Sequence, residues 1–280
     1  MPSQVVRAHM AKNGDLSVSS NVLRQITAKI GGVPWSVASA PAFKNSMIVG
    51  IDVCHSGTYS YVGFTASYNA TMSKYFSLVR KQKKGQELIT ESLLECFTRA
   101  LQHYKDFNKT LPKQIIVYRD GVGDSQRAQV MDAEFPQLIK AIKSFEQMYD
   151  PNIVLMIVNK RIAQRFFEKD GRNVINPPPG TIVDRELVEE EKDTFDFYLV
   201  AQQVNIASAL PVHYFVSFCD TNASEEQLKE FTYHQCYGYV NWTGPIKVPA
   251  SCMYAHKIAY YAMKLEKEPN AQMCETLHYL

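Results

Sequence analysis

The sequence lacks the long apolar segments, the charge excess and the internal repeats that mark several classes of protein. Its longest apolar runs, such as 153–158, are too short to span a bilayer, and no signal-peptide pattern opens the chain. The 30 Lys and Arg residues nearly balance the 28 Asp and Glu residues, so a net charge of +2 neither indicates nor excludes a nucleic-acid partner. We therefore expect no membrane partner, and the ligands must be inferred from local patches.

Cysteine pairs at metal-binding or redox spacing are also missing. The six cysteines are scattered without a CxxC pair, at Cys54, Cys96, Cys219, Cys236, Cys252 and Cys274. This spacing is typical of free thiols in a reducing compartment and argues against a disulfide framework or a cysteine-rich zinc site. We expect a cytoplasmic or nuclear protein.

What is present is an ordinary globular composition. Hydrophobic residues make up 46% and charged residues 21% of the 280 residues, which is unlike a disordered chain. This length provides ample material for a core, either as one large domain or as one domain with additional segments.

Two apolar runs end on an aspartate. Ser46–Val53 (SMIVGIDV) is rich in Ile and Val and predicts a strand buried on both faces, and Gln114–Gly121 (QIIVYRDG) has the same pattern. Burying Asp52 and Asp120 at the ends of these strands is costly unless a cation or hydrogen bonds stabilise the charges. Asp52 alone could equally cap a turn after its strand, whereas the second aspartate favours a site for divalent cations.

The order of the surrounding elements indicates an α/β fold. We predict strands at 59–69, 72–82 and 153–158, and helices at 86–104 and 135–148. A three-stranded meander followed by helix, strand, helix and strand is the order of the ribonuclease H fold. We therefore expect a mixed five-stranded central sheet with flanking helices, in which the first and fourth strands are neighbours.

Further elements are predicted on both sides of this core. Residues 22–30 are expected to form a helix, and 160–180 is expected to be a loop-rich insertion. The C-terminal additions are strands at 195–202 and 212–218 and helices at 225–240 and 251–265. Ser251 is the expected N-cap of the last helix.

Paired carboxylates on adjacent strands suit one kind of chemistry. Two divalent cations roughly 3.5–4 Å apart can clamp the attacking and leaving oxygens of a phosphoryl displacement. Mg²⁺ is a hard cation that prefers oxygen ligands and keeps several waters, so a few carboxylates suffice to hold it. Element order and residue type together make phosphoryl transfer at Asp52 and Asp120 a hypothesis.

Several blocks of the sequence resemble the Piwi domain of Argonaute proteins. Tyr118–Asp124 (YRDGVGD) is similar to the signature of that family. The other matching blocks follow in the family's order and are Gly50–Val53 (GIDV), Gly85–Leu88 (GQEL), Pro178–Asp184 (PPGTIVD), Phe195–Leu199 (FDFYL), Val212–Tyr214 (VHY), Val248–Ala250 (VPA) and Tyr254–His256 (YAH). They cover roughly residues 22–280 and, with the terminal Tyr279-Leu280, look more like the Piwi clade than the microRNA-type Argonautes.

This resemblance implies a small-RNA-guided endoribonuclease, or slicer, that acts in RNA silencing. Asp52 matches the first aspartate and Asp120 the second aspartate of the family's Asp-Glu-Asp-His tetrad. Glu87 matches the mobile glutamate and His256 the final metal-side ligand, so two Mg²⁺ or Mn²⁺ ions are implied. The implied substrate is an RNA paired to the bound guide, cleaved by two-metal hydrolysis.

Each of these residues also has a structural explanation. Glu87 opens a predicted helix, where the helix dipole favours an acidic residue, and His256 lies on a helix among apolar neighbours. Asp124 fits the N-cap region of the next helix better than a catalytic position. Lys81–Gly85 (KQKKG) reads as a solvated basic turn. Ser56 departs from the aspartate that Piwi proteins often carry there.

A second site is implied for the 5′ phosphate of the guide. Gln4, Gln25 and Lys29 resemble pocket positions between the middle (MID) domain and the Piwi domain. In the Piwi clade a metal ion can join the phosphate to the C-terminal carboxylate, which here belongs to Leu280. Glutamine at position 25, where other Argonautes often carry lysine, fits such a metal. Taken alone, Lys29 reads as an ordinary solvated lysine.

The resemblance also divides the chain and suggests its partners. Residues 1–40 match the C-terminal end of the MID domain with its connection, and residues 41–280 match the Piwi domain. We expect the chain to be part of a longer protein rather than an unusually short relative. The expected partners are a guide small RNA, a complementary target RNA and silencing cofactor proteins, and the expected state is a monomer. Two other functions stay open: a guide-binding scaffold with little cleavage, and a guide-independent nuclease or integrase relative.

Overall fold

An eight-stranded sheet forms the centre of the molecule. The computed structural model describes residues 3–84, 87–89, 91–146, 148–185, 187 and 194–280. Within these residues the strands are β1 (Ser46–His55), β2 (Tyr59–Ser67), β3 (Tyr75–Lys83), β4 (Gln114–Asp120), β5 (Asn152–Asn159), β6 (Glu168–Asp170), β7 (Asn173–Ile175), β8 (Thr181–Val183), β9 (Phe195–Val200) and β10 (Val212–Asp220). Strands β6 and β7 pair with each other as a separate hairpin, inside the segment predicted to be loop-rich.

The order of strands in the main sheet is β3-β2-β1-β4-β5-β10-β9-β8. Strand β4 runs parallel to both β1 and β5, and the other neighbours are antiparallel. The first five strands therefore have the arrangement of the ribonuclease H fold, which confirms the fold prediction, and β8–β10 extend it to eight strands. Because Ile51 pairs in register with Arg119, Asp52 and Asp120 emerge at the same edge of the sheet.

Helices cover both faces of the sheet. They are α1 (Ala8–Asn13), α2 (Leu16–Lys29), α3 (Leu93–Asn108), α4 (Arg127–Gln129), α5 (Phe135–Lys143), α6 (Glu225–Gln235) and α7 (Ala250–Leu265). Helices α3 and α5 pack on one face against Met47, Val49 and Ile51 of β1, and α7 lies against β1 and β2. Within the described ranges, no helix is long and apolar enough to cross a bilayer.

Alternation along β1 decides which residues face α7. Side chains two positions apart lie on the same face of a strand, so Gly50, Asp52 and Cys54 point the same way. A Cβ atom on Gly50 would lie 2.3 Å from the backbone of Ser251, the second residue of α7. The glycine therefore allows α7 to approach the strand, and His256, further along the helix, reaches Asp52.

Helix α3 begins later than predicted. The expected start at residue 86 lies outside the described residues, and the helix itself begins at Leu93. Its first amides are satisfied from another helix, because the Gln137 side chain of α5 accepts hydrogen bonds from the amides of Leu93 and Leu94. A cap supplied by a distant residue cannot be recognised in the local sequence.

Other helix ends also differ from the predictions. Helix α2 begins six residues earlier than expected, because the side chain of Asp15 caps it. At α7 the cap position belongs to Pro249 and no side chain caps the helix, so the predicted role of Ser251 is wrong. Helix α5 ends at Lys143 and α6 at Gln235, so both are shorter than predicted.

A side chain at Gly63 should force α7 away from the sheet. The Cβ atom of an alanine there would lie 2.0 Å from the backbone oxygen of Ala255 in α7, and a backbone atom cannot move without the helix. We expect Gly63→Ala to lower the free energy of unfolding by about 1–3 kcal/mol or more, measured by urea denaturation. Gly57→Ala is the matched control, because its Cβ meets no atom within 4 Å. Equal stability of the two variants would contradict the packing argument.

Candidate active site

A cavity of about 390 Å³ opens at the edge of the sheet where β1, β4 and β5 end. Asp52, Glu87, Asp120 and His256 all line it, although Asp52 and His256 are 204 positions apart in the sequence. Lys160, which directly follows β5, adds a cation to the same wall. The structure therefore brings together the four residues predicted for the catalytic site.

Asp52 lies within β1 and does not cap a turn, because the strand continues for three residues beyond it. Its residue is 4% exposed, and its Oδ2 is 2.6 Å from Nδ1 of His256. Burial acts to raise its pKa, but the hydrogen bond from His256 and the charges of Lys160 and Arg119 hold the pKa of Asp52 below its usual value. Because a carboxylate can only accept, Nδ1 of His256 carries the shared proton.

Asp120 is the most deeply buried member of the group. It is fully enclosed, and burial together with the Asp52 carboxylate raises the pKa of Asp120 to about 6. The ammonium of Lys160, 2.5 Å from Oδ2, opposes this shift. Its Oδ1 accepts no hydrogen bond from any residue that the structure describes. A buried acceptor without a donor is costly, and a bound cation would satisfy it.

Glu87 lies in the loop before α3, so the predicted explanation by a helix dipole is wrong. Its Oε2 accepts a hydrogen bond from Nε2 of His55 at 2.9 Å, and its Oε1 accepts one from Nη1 of Arg119 at 3.2 Å. Gly121, whose φ is +88°, has no Cβ, and one there would lie 3.1 Å from Glu87 Oε1 and 3.2 Å from Asp52 Oδ1. The glycine therefore keeps the space beside both carboxylates open.

Arg119 connects this loop to the helices behind the sheet. Its guanidinium is fully buried and pairs with Glu134 through two hydrogen bonds, from Nε to Oε2 at 2.7 Å and from Nη2 to Oε1 at 2.9 Å. Nη2 also donates to the backbone oxygen of Glu87 at 2.9 Å. Glu134 ends a π-helical turn, and its Oε1 accepts from the amide of Ile89. The pair therefore holds the loop that carries Glu87.

Sequence reasoning does not identify four residues of this site: His55, Arg119, Glu134 and Lys160. One signal was available for Arg119, because an arginine inside an otherwise apolar strand requires an acidic partner when it is buried. Nothing in the local sequence marks Glu134 or Lys160, since their roles depend on contacts made across the fold.

The donor set suits a divalent cation. Carboxylate oxygens of Asp52 and Asp120 and the imidazole of His256 line one cavity, and Oδ1 of Asp120 has no hydrogen-bond donor among the described residues. Carboxylate oxygens are the ligands that Mg²⁺ and Mn²⁺ prefer. The residues present therefore fit the metal ions that the sequence implies.

Residues predicted for the guide's 5′ phosphate also come together. Gln4 Nε2 donates to Gln25 Oε1 at 2.8 Å, and Lys29 Nζ donates to the backbone oxygen of Ser3 at 2.9 Å. Lys29 is 6% exposed and burial lowers its pKa, so it is not a solvated surface lysine. Leu280 packs against an apolar cluster that also contains the end of α2.

Comparison with known proteins shows to which family the chain belongs. The Piwi domain family model matches residues 1–267. The chain belongs to the Piwi domain family. Over its whole length this Piwi domain is 38% identical to Piwi-like protein 1 of Gallus gallus, 39% to Piwi-like protein 1 of Danio rerio and 38% to Piwi-like protein Ago3 of Bombyx mori. It spans 32%, 33% and 30% of those proteins, or about a third of their length.

Solved structures share the same fold. The crystal structure of Drosophila Piwi matches with a TM-score of 0.88 at 31% identity, over 100% of this chain and 38% of that chain. Kluyveromyces polysporus Argonaute with a guide RNA matches with a TM-score of 0.87 at 22% identity, over 99% of this chain and 38% of that chain. The ribonuclease H-like fold of Argonaute Piwi domains is confirmed, while the division at residue 40 and the roles of the site residues stay predictions.

Removing Arg119 should destabilise this Piwi domain far more than removing an exposed ion-pair partner. Arg119→Met leaves Glu134 buried without its partner, so we expect the free energy of unfolding to fall by about 3–5 kcal/mol. Lys105→Met, which breaks an exposed pair with Glu146 at 2.8 Å, should cost less than about 1 kcal/mol. Urea denaturation measures both losses, and losses of similar size would argue against the buried pair.

Proposed function

We propose that this Piwi domain is the nuclease centre of a small-RNA-guided endoribonuclease, which cleaves RNA paired to its guide in RNA silencing. The observation that carries the proposal is the convergence of Asp52, Glu87, Asp120 and His256 on one cavity. Membership of the Piwi domain family and a ribonuclease H-like fold support the same class of reaction, the hydrolysis of a phosphodiester bond.

These four side chains would hold two divalent cations, Mg²⁺ or Mn²⁺. Bound there, such ions would activate water as the nucleophile and neutralise charge on the scissile phosphate. Asp52 and Asp120 are fixed by the pairing of β1 with β4, so these carboxylates need little reorganisation during the reaction. His256 shares its Nδ1 proton with Asp52, which fixes the orientation of both side chains.

Three further residues at or behind the cavity support these four side chains. His55 and Arg119 orient the Glu87 carboxylate toward the cavity. Lys160 lines the same cavity beside Asp120, where its ammonium can contact a phosphate oxygen. In the overall reaction water adds to phosphorus, the bond from phosphorus to the 3′ oxygen breaks, and that oxygen gains a proton.

The partners follow from the guided reaction. Base pairing with the guide would select the target, while the protein contacts the backbone, by analogy with other guided nucleases. Kluyveromyces polysporus Argonaute with a guide RNA, and Clostridium butyricum Argonaute with a guide DNA and a target DNA, support a guide and a complementary strand as partners. The proposal also includes silencing cofactor proteins as partners and a monomeric state. We propose residence in the cytoplasm or nucleus, because six free cysteines are typical of a protein in a reducing compartment.

We also propose that Gln4, Gln25 and Lys29 bind the 5′ phosphate of the guide. Lys29 supplies a buried positive charge, and the hydrogen-bonded glutamines supply amide donors close to it in the chain's N-terminal part. A metal ion between this phosphate and Leu280 is part of the proposal.

Asp120→Asn should abolish cleavage and spare guide binding. An amide cannot replace the charged ligand, so we expect cleavage of guide-matched RNA by the protein at its full natural length to fall at least about 100-fold. Asp124→Asn is the matched control, because Asp124 is 68% exposed and pairs locally with Arg127.

Three outcomes separate the possible functions in this experiment. Equal cleavage by the wild type and Asp120→Asn would contradict the nuclease. Silencing that survives in Asp120→Asn would favour the guide-binding scaffold. Cleavage that needs no guide would favour the guide-independent nuclease.

Lys29→Met should weaken recognition of the 5′ phosphate. Loss of a hydrogen bond to a charged group costs about 1.5–3 kcal/mol, so the preference for a 5′-phosphorylated over a 5′-hydroxyl guide should fall roughly 10–100-fold. Fluorescence anisotropy with both guides measures this ratio. Lys12→Met removes an exposed lysine of the neighbouring helix α1 and should leave the ratio unchanged. An unchanged ratio in Lys29→Met would contradict the proposal that Lys29 binds the 5′ phosphate.

A further inference from the structure

Cys54 is a buried thiol beside the proposed nuclease site, and the proposed function gives it no role. It follows Asp52 by two positions on β1, so both side chains face α7. Cys54 is 8% exposed, and its Sγ lies 3.6 Å from Nδ1 of His256. The same nitrogen lies 2.6 Å from Oδ2 of Asp52. The thiol of Cys54 and the carboxylate of Asp52 therefore both contact the same nitrogen of His256.

These three ligand atoms have the spacing of a metal site. They all lie within 4.8 Å of one another, and no other such group of three was found among the described residues. In a tetrahedral zinc site, with Zn–S about 2.3 Å and Zn–N about 2.0 Å, a sulfur and a nitrogen ligand stand roughly 3.5 Å apart. The 3.6 Å between Cys54 and His256 meets this value. Oδ2 of Asp52 lies 2.6 Å from Nδ1 of His256, and it would need to move away from that nitrogen by less than about 1 Å.

Sulfur changes the cation that such a site prefers. Carboxylates alone suit hard ions such as Mg²⁺, whereas thiolate and imidazole ligands select ions such as Zn²⁺. We propose that Asp52, Cys54 and His256 form a binding site for a thiophilic divalent cation of the Zn²⁺ class. Because Asp52 and His256 are shared with the proposed nuclease site, this cation displaces Mg²⁺ there and inhibits cleavage. The inhibition rests on the proposed function, whereas the binding does not.

Charge and protonation are compatible with this binding. Burial, and then the Asp52 carboxylate, raise the pKa of Cys54 to about 12, so the free thiol is protonated at neutral pH. The cation must therefore displace the thiol proton, which passes to solvent. Thiolate and carboxylate together then neutralise the two positive charges. The side chain of His256 is 43% exposed, and its ring can carry the remaining proton on Nε2 while Nδ1 becomes the ligand.

Cobalt tests this site directly, because a thiolate-bound Co²⁺ ion absorbs in the near ultraviolet through sulfur-to-metal charge transfer. We expect the band to appear when the reduced chain is titrated with Co²⁺, and to be lost when Zn²⁺ displaces it. Cys54→Ser should abolish the band. Cys219→Ser is the matched control, because Cys219 is an exposed thiol on β10 outside the group, and should retain it.

A second variant controls for misfolding of the serine variant. Asp52→Asn keeps the thiol and should retain the band with an affinity for Co²⁺ at least about tenfold weaker. The urea midpoint of each variant reports whether it folds. A band that persists in folded Cys54→Ser, a band lost in Cys219→Ser, an unchanged affinity in Asp52→Asn, or no band in the wild type would each overturn the proposal.

Cleavage assays separate this proposal from the proposed function. Zn²⁺ added to reactions in excess Mg²⁺ should inhibit the wild type and inhibit Cys54→Ser much less. A protein that gives the cobalt band and never cleaves guide-matched RNA would reject the nuclease and keep the cation site. A protein that cleaves and gives no band would keep the nuclease and reject the cation site.

Discussion

Two carboxylates side by side on neighbouring parallel strands are the constraint on which the rest of the site depends. The pairing of β1 with β4 removes Asp52 and Asp120 from water side by side, where desolvation and mutual repulsion favour protonation. The fold offsets this cost unequally. Asp52 accepts a hydrogen bond from His256 and its pKa falls, whereas Asp120 faces Lys160 and its pKa stays raised, at about 6. The site is therefore a place where positive charge is favourable, which is what bound cations would supply.

A buried arginine extends this constraint from the sheet to the helices. Arg119 precedes Asp120 on β4 and points to the opposite face, where Glu134 neutralises it. The same guanidinium holds both the backbone and the carboxylate of Glu87. The described loop residues 87–89 and 91–92 lie outside any helix or strand, and this segment is positioned by contacts within the core. Placing a functional side chain on a loop requires this kind of support, because a loop alone does not keep a side chain in one orientation.

Prediction from sequence succeeded where the information lies within one element. Each apolar run that ends on an aspartate is visible in its own residues, and Asp52 and Asp120 were found in this way. Prediction failed where a partner comes from elsewhere in the fold. The start of α3 depends on Gln137, which replaces a local cap, and the position of Glu87 depends on Arg119. Lys29 reads as a solvated lysine for the same reason, although the fold buries it.

The sequence by itself determined the order of the first five strands, the family and the four residues of the candidate tetrad, because β-branched runs and ordered motif blocks are local properties of a chain. Only the tertiary structure decided which groups surround them. The contact between Cys54 and His256 joins residues 202 positions apart, and the ion pair of Lys160 with Asp120 joins the residue after β5 to the end of β4. Such contacts leave no local pattern, since burial and distance arise only when α7 and β5 pack beside β1 and β4.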